Sequence, residues 1–265
     1  MPSLPVIVPG HFGEWIQGRL GPDGPVVLVT LACAALCARA PGTRLRPRDL
    51  VGPARLDAFA AALGIERRDF PDLDCDMPLG AGAGASTACL VAAARALGFR
   101  GTPKILARAC LAFEGASDPL MYDVPDSLLW ASRRAEVVRT LPPPPEAEIV
   151  GGLWGAAERT DPTDATFPDI ADLVDMWVQA VGCSDLAAVA GIATESARRC
   201  TALRGPGDPM ADLARELGAL GVARAHTGSA RALIFAPGRA PDGAEATLRE
   251  AGLDRVLRFC TGGVA

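Results

Sequence analysis

Short apolar runs and helical repeats alternate along the first half of the chain. Residues 4–9 and 26–38 are apolar runs rich in valine, leucine and small residues. They predict two strands, the second covered on both faces. Residues 56–63 have the spacing of a short helix. A longer helix is predicted over residues 86–98, where leucines and alanines recur on one face and a glycine stands at the end.

The next helix is predicted to begin at Pro103 and to end before Gly115. Thr102 supplies the N-cap, and proline is favoured at the first helical position. Glycine is the usual residue just past a helix end. The predicted apolar face comprises Leu106, Cys110 and Phe113.

Four consecutive prolines at 142–145 divide the chain into two predicted domains, residues 1–143 and 144–265. A proline run cannot join a sheet or a helix interior, and it favours an extended connector. A strand is predicted just before it, over residues 137–141. The elements predicted after it are strands at 148–153, 221–225, 232–235 and 256–260 and helices at 170–181, 186–200, 209–220 and 244–251. This mixture indicates the α+β class in both halves.

The composition adds limits on partners and location. The 265 residues are 49% hydrophobic and 22% charged, which is ordinary usage for a globular protein. The net charge of −5 disfavours nucleic acid as a partner, because neutralising phosphates needs a basic surface. The longest apolar run, 26–38, is shorter than the ~20 residues of a membrane span and begins late for a signal peptide. We therefore expect a cytoplasmic protein with no membrane segment.

The scarcity of lysine and histidine excludes some classes of enzyme and metal site. Lys104 is the only lysine and no Gly-Lys pair exists, so a Walker-type P-loop is excluded. A pyridoxal enzyme would have to use Lys104, in the first turn of a predicted helix. The eight cysteines contain no C-x-x-C pair, and only His11 and His226 could join them at a zinc site. We expect reduced, buried thiols.

The segment with the clearest chemical indication is the small-residue loop that leads into the helix at 86–98. Small residues let the backbone approach a ligand closely, and the N-terminus of a helix offers free N–H groups to phosphate. A helix cap with a flexible loop is the plainer alternative. The candidate phosphate-binding residues are Pro78, Leu79, Gly80, Ala81, Gly82, Ala83, Gly84, Ala85, Ser86 and Thr87.

A dinucleotide-binding fingerprint is a second interpretation of this loop. Gly80, Gly82 and Ala85 fit G-x-G-x-x-A. The loop lies in the middle of the chain, however, and no acidic residue follows it at about 20 residues.

Two carboxylates follow the loop. Glu114 ends the helix that begins at Pro103, and Asp118 stands in the next turn. A loop carboxylate near a metal–phosphate site can orient a hydroxyl or accept its proton. An exposed glutamate and a turn-forming aspartate are the alternative. His11 and His226 lie in two further glycine-containing segments, 8–18 and 223–229, where a structural role is equally open.

Together these four segments resemble the motifs of the GHMP kinases, the superfamily of galactokinase, homoserine kinase and mevalonate kinase. Pro9-Gly10 matches the start of the first motif, and Thr227-Gly228 resembles the Ser/Thr-Gly pair of the third. Alanine or arginine replaces further glycines of the third motif at 230 and 231. The second motif, P-x-x-x-G-L-G-S-S-x-A, is matched in spacing by Pro78, Gly82, Gly84, Ser86 and Ala88, with alanine at 83 and 85.

Within the superfamily the sequence most closely resembles the L-threonine kinases of cobalamin metabolism, of the propanediol-utilisation type. These carry G-E-L-I-Q-G, which residues 13–18 match with Trp15 in place of leucine. Residues 114–118 resemble their E-P-T-D motif with one extra residue, and residues 226–229 resemble their H-[ST]-G-T motif.

The resemblance implies a two-domain α+β fold, like domain 2 of ribosomal protein S5 in the N-terminal part and ferredoxin-like in the C-terminal part. It implies ATP bound by the loop at 78–87, and Mg²⁺ held by Ser86 and Glu114. It makes Asp118 the residue that orients or deprotonates the acceptor hydroxyl. The candidates for the substrate side are Glu14, Gln17, His226 and Thr227.

The implied activity is ATP-dependent phosphorylation of L-threonine to O-phospho-L-threonine, which would feed the aminopropanol linker of cobalamin. Three alternatives stay open: another hydroxyl acceptor such as homoserine or a sugar, a nucleotide-binding regulator on a decayed kinase scaffold, and a dinucleotide-binding oxidoreductase. The replacements at 85, 230 and 231 motivate the regulator. Ser86, Glu114 and Asp118, which are retained, argue for an enzyme.

Overall fold

A computed structural model describes residues 5–66, 70–157, 161, 163–205 and 207–262. The strands in these ranges are β1 (Val6–Arg19), β2 (Val26–Ala40), β3 (Asp74–Cys75), β4 (Leu128–Ala131), β5 (Glu136–Thr140), β6 (Ala147–Leu153), β7 (Gly221–Arg224), β8 (Ala230–Phe235) and β9 (Asp254–Thr261). They form one sheet in the order β5-β4-β2-β1-β7-β8-β6-β9, and β3 pairs with β2. The strand pairs are antiparallel. The α+β class predicted from the sequence is therefore confirmed.

Eight α-helices and one 3-10 turn accompany the sheet in the described part of the chain. The helices are α1 (Pro47–Val51), α2 (Pro53–Ala62), α3 (Ala85–Ala96), α4 (Pro103–Glu114), α5 (Ala171–Gly182), α6 (Leu186–Arg204), α7 (Met210–Leu217) and α8 (Ala244–Glu250), and the 3-10 turn is Pro125–Ser127. Within the described ranges, none of the helices combines the length and the apolar character needed to cross a bilayer.

Strand β2 is covered on both faces over residues 26–31, as the sequence predicts, whereas Ala34 and Ala35 further along the predicted strand are exposed. Val27 and Val29 pack into a core cluster that includes α5 and α6. Leu28, whose side chain points the other way, packs into a second cluster with α3 and α4. A strand buried on both faces has no solvent side, which explains its nearly continuous apolar sequence.

The helix ends that flank the candidate loop follow their local signals. Helix α4 begins at Pro103, and Thr102 Oγ1 accepts a hydrogen bond of 3.4 Å from the Ile105 N–H. It ends at Glu114, and Gly115 adopts the left-handed conformation with φ of 75°. Both ends are as predicted. Helix α3 begins at Ala85, one residue before the predicted start.

The first strand differs from its prediction, because it continues to Arg19 rather than ending at residue 9. Its pairing with β2 shifts register between Pro9 and Gly10 and on both sides of Glu14. Gly13 adopts a φ of 77°, which favours glycine. These irregularities break the alternation of apolar and polar residues that marks a regular strand. Elements of two to five residues, α1, β3 and β4, were also missed.

The two halves of the chain form the two halves of the sheet. Strands β5, β4, β2 and β1 precede the proline run and β7, β8, β6 and β9 follow it. The halves join where Glu14 of β1 pairs with Arg224 of β7. The largest core cluster contains Phe12 from one half and Ile149 from the other. The domain boundary at residue 143 falls between these halves and stays a prediction.

Candidate active site

The small-residue loop before α3 is held in place through its carbonyl groups. The His11 N–H donates to Ala83 O at 3.2 Å and the Gly13 N–H to Gly82 O at 3.0 Å. From the other side, the Ala230 N–H donates to Ala81 O at 3.0 Å. The loop is thus fixed between β1 and the start of β8.

Glycine is required in this loop for its backbone shape and for space. Gly80, Gly82 and Gly84 have φ values of 77°, 72° and 72°, in the left-handed region. A Cβ on Gly84 would lie 2.6 Å from both His11 Cδ2 and Leu120 Cδ1. The close packing leaves the loop backbone and the start of α3 at the surface of a cavity. Gly84 caps α3 without a side-chain hydrogen bond, so the first N–H groups of the helix are free to meet an anion.

Glu114 is half-buried beside the start of α3. Its Oε2 accepts a hydrogen bond of 2.8 Å from Thr87 Oγ1, and the Asp118 N–H donates to the same Thr87 oxygen at 3.4 Å. Burial raises the pKa of Glu114 to about 8, although hydrogen bonds from Ser86 and Thr87 oppose the rise. One hydroxyl therefore connects the end of α4, the start of α3 and the loop that carries Asp118.

Ser86 and Glu114 fit the ligand chemistry of Mg²⁺. Both offer oxygen atoms, which this ion prefers, and both line the same cavity. Mg²⁺ keeps several waters and takes its remaining ligands from substrate phosphates rather than from a complete protein cage. The described residues contain no cluster of three or more His, Cys, Asp or Glu side chains fit to hold a metal.

A buried histidine stands next to Asp118. His11 Nε2 lies 3.2 Å from Asp118 Oδ2, an ion-pair distance, although it does not point along a hydrogen-bond direction. Its other nitrogen, Nδ1, contacts Gly13 O at 3.2 Å and lies 4.0 Å from Glu14 Oε1. Burial alone would lower the pKa of His11, but the charges of Asp118 and Glu14 outweigh it and raise that pKa to about 9. The two carboxylates therefore favour the protonated form of His11 beside Asp118.

Glu14 and His226 form the wall of the cavity between β1 and β7. The His226 N–H donates to Glu14 Oε2 at 3.2 Å, and the His226 ring stacks on Phe167 with a centroid separation of 4.0 Å. Burial raises the pKa of Glu14 to about 7. Burial and the charge of Arg204 lower the pKa of His226 to about 3, so this ring is neutral.

All these groups surround a single cavity of about 370 Å³. The predicted site residues that line it are Glu14, Pro78, Leu79, Gly80, Gly82, Ala83, Gly84, Ala85, Ser86, Thr87, Glu114, Asp118, His226 and Thr227. Two predicted residues lie elsewhere. Ala81 does not line the cavity, and its carbonyl group accepts the hydrogen bond from the Ala230 N–H. Gln17 lies in a small second pocket beside Ser196 of α6.

Several polar residues of the cavity were not assigned to the site from the sequence. They are His11, Arg55, Ser132 and Arg133. His11 directly follows Pro9-Gly10, so its position in the motif was the available signal. Arg133 follows Ser132 in the β4–β5 turn, where no local pattern marks it.

Comparison of the chain with known proteins gives matches in structure and not in sequence. No family model matches the chain, and no curated protein matches its sequence. Mevalonate kinase from methicillin-resistant Staphylococcus aureus MRSA252 shares 16% identity with a TM-score of 0.60, covering 98% of this chain and 100% of that one. A putative homoserine kinase from Listeria monocytogenes shares 16% identity with a TM-score of 0.59, covering 99% and 100%.

A third solved structure, L. major mevalonate kinase in complex with R-mevalonate, shares 14% identity with a TM-score of 0.64, covering 98% of this chain and 96% of that one. Sequence identities this low show the fold alone. The match extends over nearly the whole length of both chains, so it includes both halves of the sheet and the loop before α3. The chain therefore has the α+β fold of the GHMP kinases.

Proposed function

We propose that this protein is an ATP-dependent kinase that phosphorylates the hydroxyl group of a small molecule, and that the acceptor is L-threonine. The observation that carries the proposal is the shared cavity. One side presents the N-terminus of α3 with the Glu114 carboxyl group, and the same cavity contains Asp118 paired with His11. A phosphate chain and a hydroxyl could meet there.

The nucleotide side of the cavity is the loop at 78–87. Its backbone N–H groups and the free N–H groups at the start of α3 donate hydrogen bonds to the phosphate oxygens of ATP. Ser86 and Glu114 would hold Mg²⁺, and the ion would supply neutralisation of the phosphate charge. Because the loop is fixed by three backbone hydrogen bonds, it needs little rearrangement to receive the phosphates.

On the acceptor side, Asp118 orients the hydroxyl and accepts its proton as the new oxygen–phosphorus bond forms and the bond to ADP breaks. His11 fixes the orientation of the Asp118 carboxylate through the 3.2 Å contact. Most of the rate enhancement in phosphoryl transfer comes from positioning and charge stabilisation, so a fixed carboxylate supplies what this reaction needs.

L-threonine is proposed as the acceptor because of two sequence segments. Residues 13–18 and 226–229 resemble the corresponding motifs of threonine kinases, and Glu14 and His226 from these segments line the acceptor wall together. The product would be O-phospho-L-threonine, the precursor of the cobalamin aminopropanol linker. Homoserine or a sugar is the alternative acceptor.

The proposal is tested by measuring ADP release from ATP and Mg²⁺ with L-threonine, L-serine, L-homoserine or no acceptor. We expect release that depends on L-threonine and is weaker with the others. Asp118→Asn should lower kcat by about 10²–10⁴-fold, whereas Asp123→Asn, an exposed aspartate nearby, should not. A folded protein that binds ATP but releases no ADP with any acceptor would favour the regulator and contradict the kinase.

A further inference from the structure

Arg133 lies at the edge of the cavity, in the turn that joins β4 to β5. Strand β4 ends at Ala131, and the Arg134 N–H donates to Ala131 O at 3.0 Å, which closes the turn. Ser132 and Arg133 both line the cavity, whereas Arg134 does not and is exposed. Two consecutive arginines thus have opposite environments.

The turn of Arg133 is fixed to the loop of Asp118. The Ser117 N–H donates to Ser132 O at 3.0 Å. Trp130 Nε1, also from β4, donates to Ser117 O at 2.6 Å. Ser117 directly precedes Asp118, and Ser132 directly precedes Arg133. The carboxylate that meets the acceptor hydroxyl and the guanidinium group therefore belong to one wall of the cavity.

One nitrogen of Arg133 has no hydrogen-bond partner among the described residues. Its Nη1 is buried and makes no hydrogen bond to the described residues, and no other guanidinium nitrogen in that part of the chain is both buried and unpaired. Burial lowers the pKa of Arg133 from its ordinary value. A buried cationic nitrogen without an acceptor is unfavourable, so a missing partner is implied.

The charges of Asp164 and Asp161 act on Arg133, but the hydrogen bonds of both carboxylates go to other groups. Asp164 pairs with Arg204 at 2.5 Å and accepts from the Thr166 N–H at 2.9 Å. Asp161 accepts from the Thr163 N–H and hydroxyl at 2.8 and 2.7 Å. Neither carboxylate accepts a hydrogen bond from the buried nitrogen of Arg133, which is therefore left for a ligand.

The surroundings of Arg133 belong to the acceptor side. Its guanidinium carbon lies 5.8 Å from the centre of the Phe167 ring, and Phe167 stacks on His226. On the nucleotide side, Arg55 donates to Phe113 O and lies 5.0 Å from the centre of the Phe113 ring. The two cavity arginines therefore stand against different walls.

We propose that Arg133 binds the carboxylate of the acceptor, so that the substrate is a hydroxy acid or hydroxy amino acid rather than a neutral alcohol or sugar. The inference deepens the proposed kinase function and rests on it. Arginine suits this task because its N–H groups match carboxylate oxygens in strong, charge-assisted hydrogen bonds. The same N–H groups can also donate to a phosphate oxygen of ATP. The experiment below distinguishes the acceptor carboxylate from the ATP phosphate.

The test compares acceptors that differ only in the carboxylate. L-threonine and 1-amino-2-propanol carry the same hydroxyl and amino groups, and only threonine has the carboxylate. We expect the wild-type protein to prefer threonine in kcat/KM by about 10- to 100-fold. Arg133→Gln should raise the KM for threonine by a similar factor, leave the KM for ATP within about twofold, and remove the preference. Arg133→Lys should recover part of it, and Arg134→Gln should match the wild type.

Three outcomes would overturn the inference. Equal use of threonine and 1-amino-2-propanol by the wild type would show that no carboxylate is recognised, while the kinase would stand. A higher KM for ATP in Arg133→Gln, or an equal fall in kcat with both acceptors, would place Arg133 on the phosphates. If no acceptor gives ADP release, the proposed kinase fails, and calorimetry of threonine binding decides the subsite. Binding that Arg133→Gln weakens about 10-fold or more supports it, and undetectable or unchanged binding rejects it.

Discussion

The two histidines of this chain should titrate about six pH units apart. Burial acts against the charged form of both rings. The charges of Asp118 and Glu14 outweigh burial at His11 and raise its pKa to about 9, whereas burial and Arg204 lower the pKa of His226 to about 3. With two histidines in the sequence, both can be followed individually. The contact with Asp118 predicts what happens when its charge is removed.

The expected shift can be worked from the 3.2 Å contact. At an effective dielectric of about 20, two unit charges at that distance interact by about 5 kcal/mol, or about four pKa units. The Asp118 side chain is 26% exposed, so solvent screens part of this attraction. We therefore expect Asp118→Asn to lower the pKa of His11 by about 2–3 units. Glu14→Gln should lower it less, because Glu14 lies 4.0 Å away and contributes the smaller charge effect.

The measurement is an NMR titration of ¹⁵N-labelled histidine rings, with His226→Gln to assign the signals. A wild-type His11 that titrates near its ordinary pKa would refute the ion pair. A pKa of His11 that stays near 9 in Asp118→Asn would show that another group holds the proton. A larger drop in Glu14→Gln than in Asp118→Asn would reverse the assigned order of the two carboxylates.

Three further predictions concern stability, measured as the free energy of unfolding in urea. Gly84→Ala should lower the free energy of unfolding clearly more than Gly98→Ala. Both glycines have a positive φ, which costs an alanine about 1–2 kcal/mol, but only the Cβ at position 84 meets other atoms. Equal losses of stability would contradict the close packing around Gly84. Thr87→Val should lower the free energy of unfolding by about 1–3 kcal/mol, because the hydrogen bond to Glu114 is lost. Thr87→Ser keeps the hydroxyl and should lower it by about 1 kcal/mol. The reverse order would show that the hydroxyl does not stabilise the fold. Burial raises the pKa of Glu14 to about 7, so the contribution of this carboxyl group to the free energy of unfolding is fully present below pH 4.5 and is lost as the pH rises through 7. Glu14→Gln should reduce the dependence of stability on pH in this range. An unchanged dependence would assign the loss of stability to other groups.

The parts of the site that the sequence predicts are those set by local chemistry. Glycines at 80, 82 and 84 indicate a loop with left-handed backbone conformations. Thr102 and Gly115 mark the start and the end of α4. These signals depend on neighbours in the chain, so they can be recognised without the fold. The fold itself is also implied by the motifs, because their order along the chain is specific.

The parts that the sequence does not predict depend on distant contacts. His11 meets Asp118 only because irregular pairing in β1 turns it toward the loop after α4. Arg133 enters the cavity because Ser132 is bonded to Ser117, and Gln17 lies outside it because its strand faces α6 there. No residue pattern near these positions encodes such contacts, which arise from packing of separate segments.

The anchoring of the loop at 80–84 has a consequence for how the protein is made. Its carbonyl groups are held by His11 and Gly13, from β1, and by Ala230, at the start of β8. Contacts between residues so far apart in sequence form late, after the intervening chain has folded. A growing chain on the ribosome lacks the anchor from Ala230 until β8 emerges. The loop can therefore take its anchored shape only after β8 has been made, which ties the shape of the cavity to the synthesis of both halves of the sheet.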